Sequence, residues 1–439
     1  MGSVKSIVAF AFVWVVTPLF AQQMLSKDEA IATALEHNYG VKISNNNVEI
    51  AENNQDLLNT GLLPIITGNA GGSYSLDNTE AQFANGDVTT LDGAESTRYN
   101  ASVNLNYSLF DGLGRHYNYK ILKQQYQLSE LQARETIEFT ITELLTVYYT
   151  VAQQKENQTA LKEAFNISKD RLTRAEYQFQ YGQSSKLEVL NAQVDINNDS
   201  INLLNATQQL KNTKRSLGFI LGQEMSTEFE VDTLVTFLLQ LNKDDLLNKA
   251  RANNVLLSQL DKSITISEYN IKLNKSDLLP SIGVTGSYGW AKNNNNAASF
   301  IASSTNTGLT AGLNLNWNIF DSGSTITRVK NANIDLENQK LQKEELILSI
   351  ETDFRNAWDD YQNKLTIYQV QEENIITAQN NFDRTQEQFR IGQVTSIEFR
   401  QAQVNLITAE ISRNRAKYAA KIAELVVLQL SGELLNVQL

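Results

Sequence analysis

The passage YQFQYGQSSKLEVLNAQV at residues 177–194 returns as EQFRIGQVTSIEFRQAQV at residues 387–404. Eight of the eighteen paired positions are identical in these two passages. Two shorter motifs are doubled as well: LLP at 62–64 returns at 278–280, and FDG at 110–112 returns as FDSG at 320–323. A repeat of about 200 residues duplicates a whole supersecondary unit rather than one period of a solenoid. The sequence therefore predicts structural repeats at 22–225 and 242–439, joined by a linker at 226–241.

The N-terminus has the pattern of a secretory signal peptide. Lys5 precedes an apolar run from Ile7 to Val16, and the stretch ends in small residues near Ala21. This pattern predicts export and cleavage, so residues 1–21 are assigned to a signal peptide. The alternative is a membrane anchor, for which the run is short, since a spanning helix needs about 20 apolar residues.

Composition argues against several functional classes. The chain has no cysteine and a formal net charge of -12, which exclude a disulfide framework and disfavour a nucleic-acid partner. His37 and His116 have no histidine counterpart in the other repeat. Neither a His-Cys zinc site nor a Ser-His-Asp spacing is present. The sequence therefore predicts no enzyme and no cofactor, and an exported hydrolase is the least favoured hypothesis.

Period-two alternation predicts two strand hairpins, at 64–110 and 280–320. Apolar residues alternate with Asn and Ser over 99–109, and 309–319 repeats the pattern, so each strand has one apolar and one polar face. The stretches 77–97 and 291–307 are rich in Asn, Ser, Thr and Gly and are expected to be the hairpin loops.

The composition of the two faces favours a membrane position over the alternative, a soluble sandwich. A face of Asn and Ser suits a wet lumen, and aromatics near strand ends suit membrane girdles. The predicted lumen-facing residues are Asn100, Asn104, Asn106, Asn314, Asn316 and Asn318. The predicted membrane-facing aromatics are Tyr74, Tyr99, Tyr107, Tyr288, Trp290 and Trp317. Four strands cannot close a barrel, and an open edge is forbidden in lipid, so this position requires oligomerisation; three copies give 12 strands.

Very long helices are predicted at 114–181 and 324–391, because 115–181 and 324–391 contain neither Gly nor Pro. At 1.5 Å per residue each reaches roughly 100 Å. Apolar residues at three- and four-residue spacing indicate coiled-coil packing. Shorter helices are expected after a glycine turn, at 185–217 and 395–430. Another helix is expected before each hairpin, from Ser26 to Asn59 and from Asn242 to Asp277, stopped by the prolines of the LLP motifs.

This doubled plan resembles the TolC-type outer-membrane efflux channels. The resemblance rests on the duplication, on LLP before a strand, on FDG or FDSG after one, and on Phe-x-x-Gly-Gln at the helical tips; it covers essentially all of the mature chain. It implies a mixed α and β membrane protein. Its homotrimer builds a transmembrane β-barrel of 12 strands, four per chain, continuous with a long α-helical coiled-coil barrel. Gly222 to Leu241 and the tail after Gly432 would form a girdle midway.

The function that the resemblance implies is a passive exit duct of a tripartite efflux or type I secretion system. The duct lies in the cell outer membrane of a Gram-negative bacterium, with its helices in the periplasm. An inner-membrane RND or ABC pump drives export through a periplasmic adaptor (membrane fusion protein), and helix untwisting at the tip opens the duct. Drugs, metal ions, siderophores and polypeptides all stay open as cargo. The alternative from another class is a periplasmic coiled-coil scaffold with a small soluble β-domain.

The helical tips carry residues with competing roles. The resemblance implies adaptor docking at Gly182, Gln183, Ser185, Glu188, Gly392, Gln393, Thr395 and Glu398. For the glycines, the alternative is a tight turn that needs the left-handed conformation. For Glu188 and Glu398 the alternatives are a gating carboxylate ring or capping boxes with Ser185 and Thr395. Family members commonly carry a second acid three residues later, but here Asn191 and Gln401 stand there, which favours capping.

The stretch Gly112-Leu113-Gly114 follows a strand and opens a helix, as a phosphate-binding turn would. The third glycine of such a motif is missing, and the other repeat does not preserve the pattern. A strand-to-helix turn at the membrane edge is the favoured interpretation.

Overall fold

A computed structural model describes residues 24–224, 229–238 and 241–436. The signal peptide expected at 1–21, and parts of the linker and tail, lie outside these residues. The elements in chain order are β1 (Met24–Leu25), α1 (Lys27–His37), α2 (Tyr39–Gln55), β2 (Ile65–Gln82), β3 (Val88–Asp111), α3 (Gly114–Gln180), α4 (Lys186–Ile220), β4 (Glu230–Val231), α5 (Lys243–Asn253), α6 (Val255–Ser276), β5 (Ser281–Asn294), β6 (Ser303–Asn316), α7 (Ser324–Arg390) and α8 (Ser396–Leu430).

The duplication is visible in the lengths of the helices. The long helices α3 and α7 each have 67 residues, and α4 and α8 each have 35. In the half near the strands, α3 packs against α2 and α6, and α6 packs against α7. In the other half, α3 packs against α4 and α8, and α8 packs against α7. Strands and helical tips therefore lie at opposite ends, on the order of 100 Å apart.

The helix expected before each strand hairpin is two helices. Asn38 separates α1 from α2, and Asn254 separates α5 from α6; both have extended backbone angles. The Asn38 side chain accepts a hydrogen bond of 3.2 Å from the Val41 N–H, and Asn254 accepts one of 3.0 Å from the Leu256 N–H. Each asparagine therefore caps a new helix. The prolines do not end these helices, because α2 stops at Gln55 and α6 at Ser276.

The four long strands form one antiparallel sheet in the order β2-β3-β5-β6. The loop expected at 77–97 is mostly strand, because β2 and β3 extend through it to a turn at 83–87. Asn85 and Gly86 make this turn, with Gly86 at φ 94, and the Phe83 N–H donates to the Asp87 carbonyl at 2.8 Å. An Asn-Gly pair is a strong hairpin signal, and it lies inside the stretch expected to be loop. The second loop is also shorter than expected, at 295–302.

The last strand is shorter than its alternation predicts. β6 ends at Asn316 opposite Ser281, the first residue of β5, so Trp317 and Asn318 lie beyond the strand. The physical reason is Pro280, the residue before Ser281, because proline has no N–H with which to extend the ladder of hydrogen bonds. Instead the Trp317 indole N–H donates to the Leu278 carbonyl at 3.2 Å.

The largest core lies midway along the helices, where α1, β1, β4 and the segment 229–238 pack on α3, α4 and α8. We call these short segments, with α5, the girdle. Tyr148 on α3 ties it down: its hydroxyl donates to the Leu25 carbonyl at 2.8 Å and accepts from the Asp232 N–H at 3.0 Å. The buried ion pair of Lys421 and Glu424 on α8 holds the same segment, through the Thr236 carbonyl and the Leu238 N–H.

Candidate functional site: the sheet and the helical tips

The two faces of the sheet differ in chemistry: one carries mostly polar side chains and the other mostly apolar ones. Directly paired residues share a face, and Asn104 lies opposite Thr67 and Ser287, while Asn106 lies opposite Thr285. The Ser287 hydroxyl lies 2.7 Å from the Asn104 side-chain oxygen, within hydrogen-bond distance. Of the six asparagines considered for a lumen, five share this polar face: Asn100, Asn104, Asn106, Asn314 and Asn316. Asn318 does not, because it lies outside the strand.

The opposite face carries the apolar side chains. Val103 lies opposite Tyr288, which lies opposite Leu309, and the side chains of Leu309 and Leu313 are 77% and 72% exposed. Five of the aromatics expected to face a membrane lie on this surface: Tyr74, Tyr99, Tyr107, Tyr288 and Trp290. Trp317 lies beyond the strand. An exposed apolar surface of this extent indicates contact with an apolar partner.

Both strand-to-helix turns are capped by the aspartate of the FDG and FDSG motifs, a role that the sequence analysis missed. Asp111 accepts a hydrogen bond of 2.9 Å from the Arg115 N–H, and Asp321 accepts one of 2.8 Å from the Thr325 N–H. A carboxylate at a helix start satisfies free N–H groups and favours the helix dipole. Gly112 is required here, because a Cβ would lie 2.3 Å from the Ser276 carbonyl oxygen. The turn therefore has a structural explanation.

The two helical tips share one backbone geometry. Gly182 and Gly392 have φ angles of 70 and 78, and the next N–H closes the turn on the Gln178 and Gln388 carbonyls at 2.7 and 2.8 Å. A Cβ at either glycine would meet nothing within 4 Å, so the positive φ alone requires them. The side chains of Gln183 and Gln393 are exposed and make no hydrogen bond within the described part of the chain.

The caps of the two tips differ. At the second tip the capping box is present: the Thr395 hydroxyl accepts from the Glu398 N–H at 3.2 Å, and Glu398 accepts from the Thr395 N–H at 2.7 Å. These hydrogen bonds lower the pKa of Glu398 below its ordinary value. At the first tip the box is absent, because Ser185 makes no side-chain cap bond and Glu188 accepts instead from the Ser184 hydroxyl at 2.9 Å. The prediction of paired capping boxes is therefore wrong for the first tip.

A buried polar cluster joins the two helical hairpins about one to four turns above these caps. We call it the hairpin clamp. Its members are Ser168 and Arg171 on α3, Asp195 and Asp199 on α4, and Arg400 and Gln403 on α8. The Arg400 guanidinium binds Asp199 with two hydrogen bonds of 2.7 Å, and the Gln403 amide donates to the Ala164 carbonyl at 2.9 Å. Desolvation, and then the charge of Arg400, lower the pKa of Arg171 to about 10.

No single sequence signal could have identified the hairpin clamp. Arg400 on α8 lies 201 residues from its partner Asp199 on α4, and in the doubled passages Arg400 is matched by Leu190. Gln403 and its counterpart Gln193 are identical, yet Gln403 is buried and Gln193 is exposed. The cluster depends on packing that the duplication does not repeat.

Among the described helices, none contains an apolar stretch of the length that a bilayer-spanning helix needs.

A comparison with known proteins shows which family shares this architecture. The model of the outer membrane efflux protein family matches residues 30–223 and 246–433, one range within each of the two predicted repeats. The chain belongs to this family. It is 21% identical over 437 residues to the outer membrane efflux protein BepC of Brucella suis, covering 99% of this chain and 92% of BepC. It is 22% identical over 342 residues to the outer membrane protein TolC of Vibrio cholerae, covering 77% of this chain and 78% of that protein.

Solved structures agree with the fold. The CmeC outer membrane channel of Campylobacter jejuni superposes with a TM-score of 0.76 at 18% identity, covering 93% of this chain and 86% of CmeC. The predicted resemblance, the predicted location in the outer membrane of a Gram-negative bacterium and the predicted role in efflux transport are therefore confirmed. Family members are channels rather than enzymes.

Proposed function

We propose that this protein is the exit duct of a tripartite efflux or type I secretion system, in which three copies form one continuous conduit across the outer membrane and periplasm. The observation that carries the proposal is the sheet, which has one polar face, one exposed apolar face and two free edges. β2 and β6 each have one edge without a strand neighbour among the described residues. Lipid forbids such edges, because their N–H and C=O groups go unpaired.

Closure by three copies satisfies both edges. One chain contributes four strands, whereas about eight are needed for the smallest filled barrel. Twelve strands from a trimer would pair β6 of one copy with β2 of the next, place the asparagine face on a wet lumen and leave the apolar face to lipid. Neighbouring strands of the sheet alternate in direction, so β6 of one copy would run antiparallel to β2 of the next.

The helices support the same association. An apolar stripe on α2 at Tyr39, Ile43 and Ile50 is exposed, with spacings of four and seven residues. Exposed apolar residues on α7 recur at seven-residue intervals, at Ile334, Leu341 and Leu348. α2 and α7 form the two lateral margins of the helical layer in this half of the molecule. Heptad spacing is typical of coiled-coil seams, so α7 of one copy is expected to pack on α2 of the next.

The tips are proposed to dock a periplasmic adaptor. Tyr181 and Leu187 flank the first tip with 75% and 64% exposure, and Ile391 and Ile397 flank the second with 68% and 74%. The two pairs occupy equivalent positions in the two repeats, and in the sequence each pair lies on either side of the exposed Gln of its tip. An apolar pair with a central amide at the end of a rigid hairpin suits a helical partner that brings its own apolar tip. A trimer would present six such surfaces.

The driving force is proposed to come from an inner-membrane pump of the RND or ABC class, through that adaptor. Export would then be passive diffusion along the lumen. Opening would require the helical hairpins to separate at the tip, against the hairpin clamp.

The experiment is reconstitution of the purified mature protein. The exit-duct proposal expects extraction from the outer membrane only with detergent, a particle of three chains, and discrete conductance steps in a planar bilayer. A monomer that stays soluble without detergent would instead support the periplasmic scaffold with a soluble β-domain. Adaptor docking is tested separately, by co-purification with a periplasmic adaptor from the same organism. Gln183→Glu with Gln393→Glu is the variant, and loss of capture with unchanged conductance is the expected result.

A further inference from the structure

Two lysines converge on one tyrosine just below the sheet. The ammonium groups of Lys120 on α3 and Lys272 on α6 each lie 5.4 Å from the centre of the Tyr269 ring. Neither lysine forms an ion pair or a hydrogen bond with any residue that the structure describes. Two cations held at one aromatic ring repel each other, and the ring offsets only part of this repulsion. The arrangement therefore lacks an anion.

The surrounding protein does not supply that anion. α3 has no acidic residue before Glu130, more than two turns beyond Lys120. On α6, Asp277 is engaged by Arg328 at 2.7 Å, and Glu268 is exposed without an ion pair to Lys272 among the described residues. At the end of α2, which also packs on α3, the Asp56 carboxylate accepts from the Leu58 N–H at 2.8 Å. No carboxylate of the described residues forms an ion pair with either lysine, so an anion from outside the chain would balance their charge.

The height of the three side chains matches a lipid headgroup. Lys120 is the seventh residue of α3, and Lys272 precedes the end of α6 by four residues. At 1.5 Å per residue they lie roughly 6–9 Å below the strands. Lysine stems extend along apolar surface to bring the ammonium group to an interface, and tyrosine is enriched at that level.

The side chains also lie on the outer side of the helical layer. Lys120 is three and four heptads from Ile141 and Tyr148, which face the girdle core. In a helix that packs with a heptad period, residues at this spacing share one face. In the proposed trimer the girdle lies on the outside of the helical tube, which places Lys120 on the outward face, where lipid would be.

We propose that Lys120, Tyr269 and Lys272 form a binding site for the phosphate of an anionic phospholipid in the periplasmic leaflet. Lysine donates charge-assisted hydrogen bonds to phosphate oxygens, and the tyrosine ring packs against the glycerol region. The inference rests on the proposed function, which sets the sheet in the membrane. The site occurs once per chain, because the residue that matches Tyr269 in the first repeat is Asn53. A trimer therefore has three sites.

The test compares the purified trimer in phosphatidylglycerol and phosphatidylcholine nanodiscs. For the wild type, phosphatidylglycerol should raise the midpoint of thermal trimer dissociation by roughly 2–4 °C over phosphatidylcholine, as a ligand that binds only the folded state does. Lys120→Gln with Lys272→Gln should abolish this difference. The matched control is Lys162→Gln with Lys169→Gln, two exposed lysines far below the membrane, which should keep it.

Several outcomes would overturn the site. An undiminished phosphatidylglycerol effect in the double variant would do so, and so would an equal shift of the midpoint when excess inorganic phosphate is added to the protein in phosphatidylcholine nanodiscs. If the double variant does not assemble, Lys272→Gln alone, at an exposed position, must lose at least part of the shift. Wild-type trimer mass is recorded in the same nanodiscs, and conductance is recorded in a planar bilayer with protein from the same purification. Failure of those measurements would reject the exit duct, whereas failure of the lipid effect alone rejects only the site.

Discussion

Asp199 on α4 and Arg400 on α8 form a two-point ion pair, with both hydrogen bonds at 2.7 Å, although the two helices belong to different repeats. The Asp199 side chain is 5% exposed and that of Arg400 19%, so the pair is largely removed from water. Ser168 on α3 donates a third hydrogen bond to Asp199, at 2.6 Å. The pair therefore fastens the two helical hairpins near the tips, while a second polar contact, Lys417 with Glu156 at 2.6 Å, joins α8 to α3 nearer the girdle.

Asp199→Ala should open this fastening. The change removes the two-point partner of Arg400, and Asp195 then remains as the carboxylate that pairs with Arg171 and Arg400. Removing one partner of a buried pair costs about 3–5 kcal/mol, and Asp195 offsets part of this cost. We expect a lower midpoint of thermal unfolding and, because the hairpins separate more easily, a larger single-channel conductance. The control is Arg390→Ala, whose partner Glu387 is exposed, and which should change stability by no more than about 1 kcal/mol. Equal effects of the two variants would refute the clamp.

Because the caps of the two tips differ, alanine at Thr395 and alanine at Ser185 should lower the stability of the protein by different amounts. Thr395→Ala removes the hydroxyl that accepts from the Glu398 N–H, and loss of such a cap costs about 0.5–2 kcal/mol. Ser185→Ala removes a hydroxyl that makes no cap bond, so its effect should be close to zero. Urea unfolding of the two variants, followed by the far-ultraviolet circular dichroism of the helices, measures the difference in stability. Similar losses at both tips would show that the caps are equivalent in solution.

Glu398 also predicts a pH dependence. Hydrogen bonds from Thr395 lower its pKa in the folded state below the ordinary 4.5. A lowered pKa stabilises the fold at any pH above the ordinary value, and this stabilisation is lost as the pH falls through the folded pKa. The difference in melting temperature between wild type and Glu398→Ala should therefore be constant from about pH 7 to pH 5 and shrink below about 4.5. A difference that grows on acidification would contradict this assignment.

Gly222 and Gly432 lie against the backbone of the girdle, whereas the tip glycines have no atom within reach of an added Cβ. Gly222 has a φ of 69, and a Cβ there would lie 2.3 Å from the His37 carbonyl oxygen; at Gly432 the nearest atom is the Asn253 oxygen, at 2.9 Å. At Gly182 there is only the positive φ, which costs an L-residue about 1–2 kcal/mol. The loss of thermal stability should therefore rank Gly222→Ala first, Gly432→Ala second and Gly182→Ala last. The reverse order would show that backbone shifts relieve the clash.

The helix plan was predictable because it depends on local signals that occur twice. Long stretches without Gly or Pro, ended by Gly182 and Gly392, give α3 and α7 nearly to the residue. The break at Asn38 was not predictable, since asparagine occurs within helices and marks a boundary only where its side chain turns to cap the next one. The hairpin clamp and the girdle depend on contacts between distant segments, such as that of Lys421 with Thr236, which periodicity does not encode.

The difference between Ser184 and Ser185 shows the same limit on a smaller scale. Both tips have a hydroxyl three residues before the glutamate, and the motif predicts one cap for both. The first tip has a second serine beside the expected one, and Glu188 binds that hydroxyl instead. Two adjacent donors of the same chemistry differ only in backbone direction, which the sequence does not specify.

The sheet faces give the sharpest test of membrane position. Leu313 lies on the apolar face and Thr310, three residues earlier on β6, on the polar face. Leu313→Arg should cost about 2–4 kcal/mol if the residue lies near the middle of the bilayer, because the guanidinium must then stay solvated within lipid. Thr310→Arg should be tolerated and should instead shift ion selectivity towards anions, because its charge would line the lumen. Trimer yield in the outer-membrane fraction measures the first effect, and reversal potential in a salt gradient the second. Equal yields from both variants would place the apolar face in water or against protein and would reject the membrane orientation of the sheet.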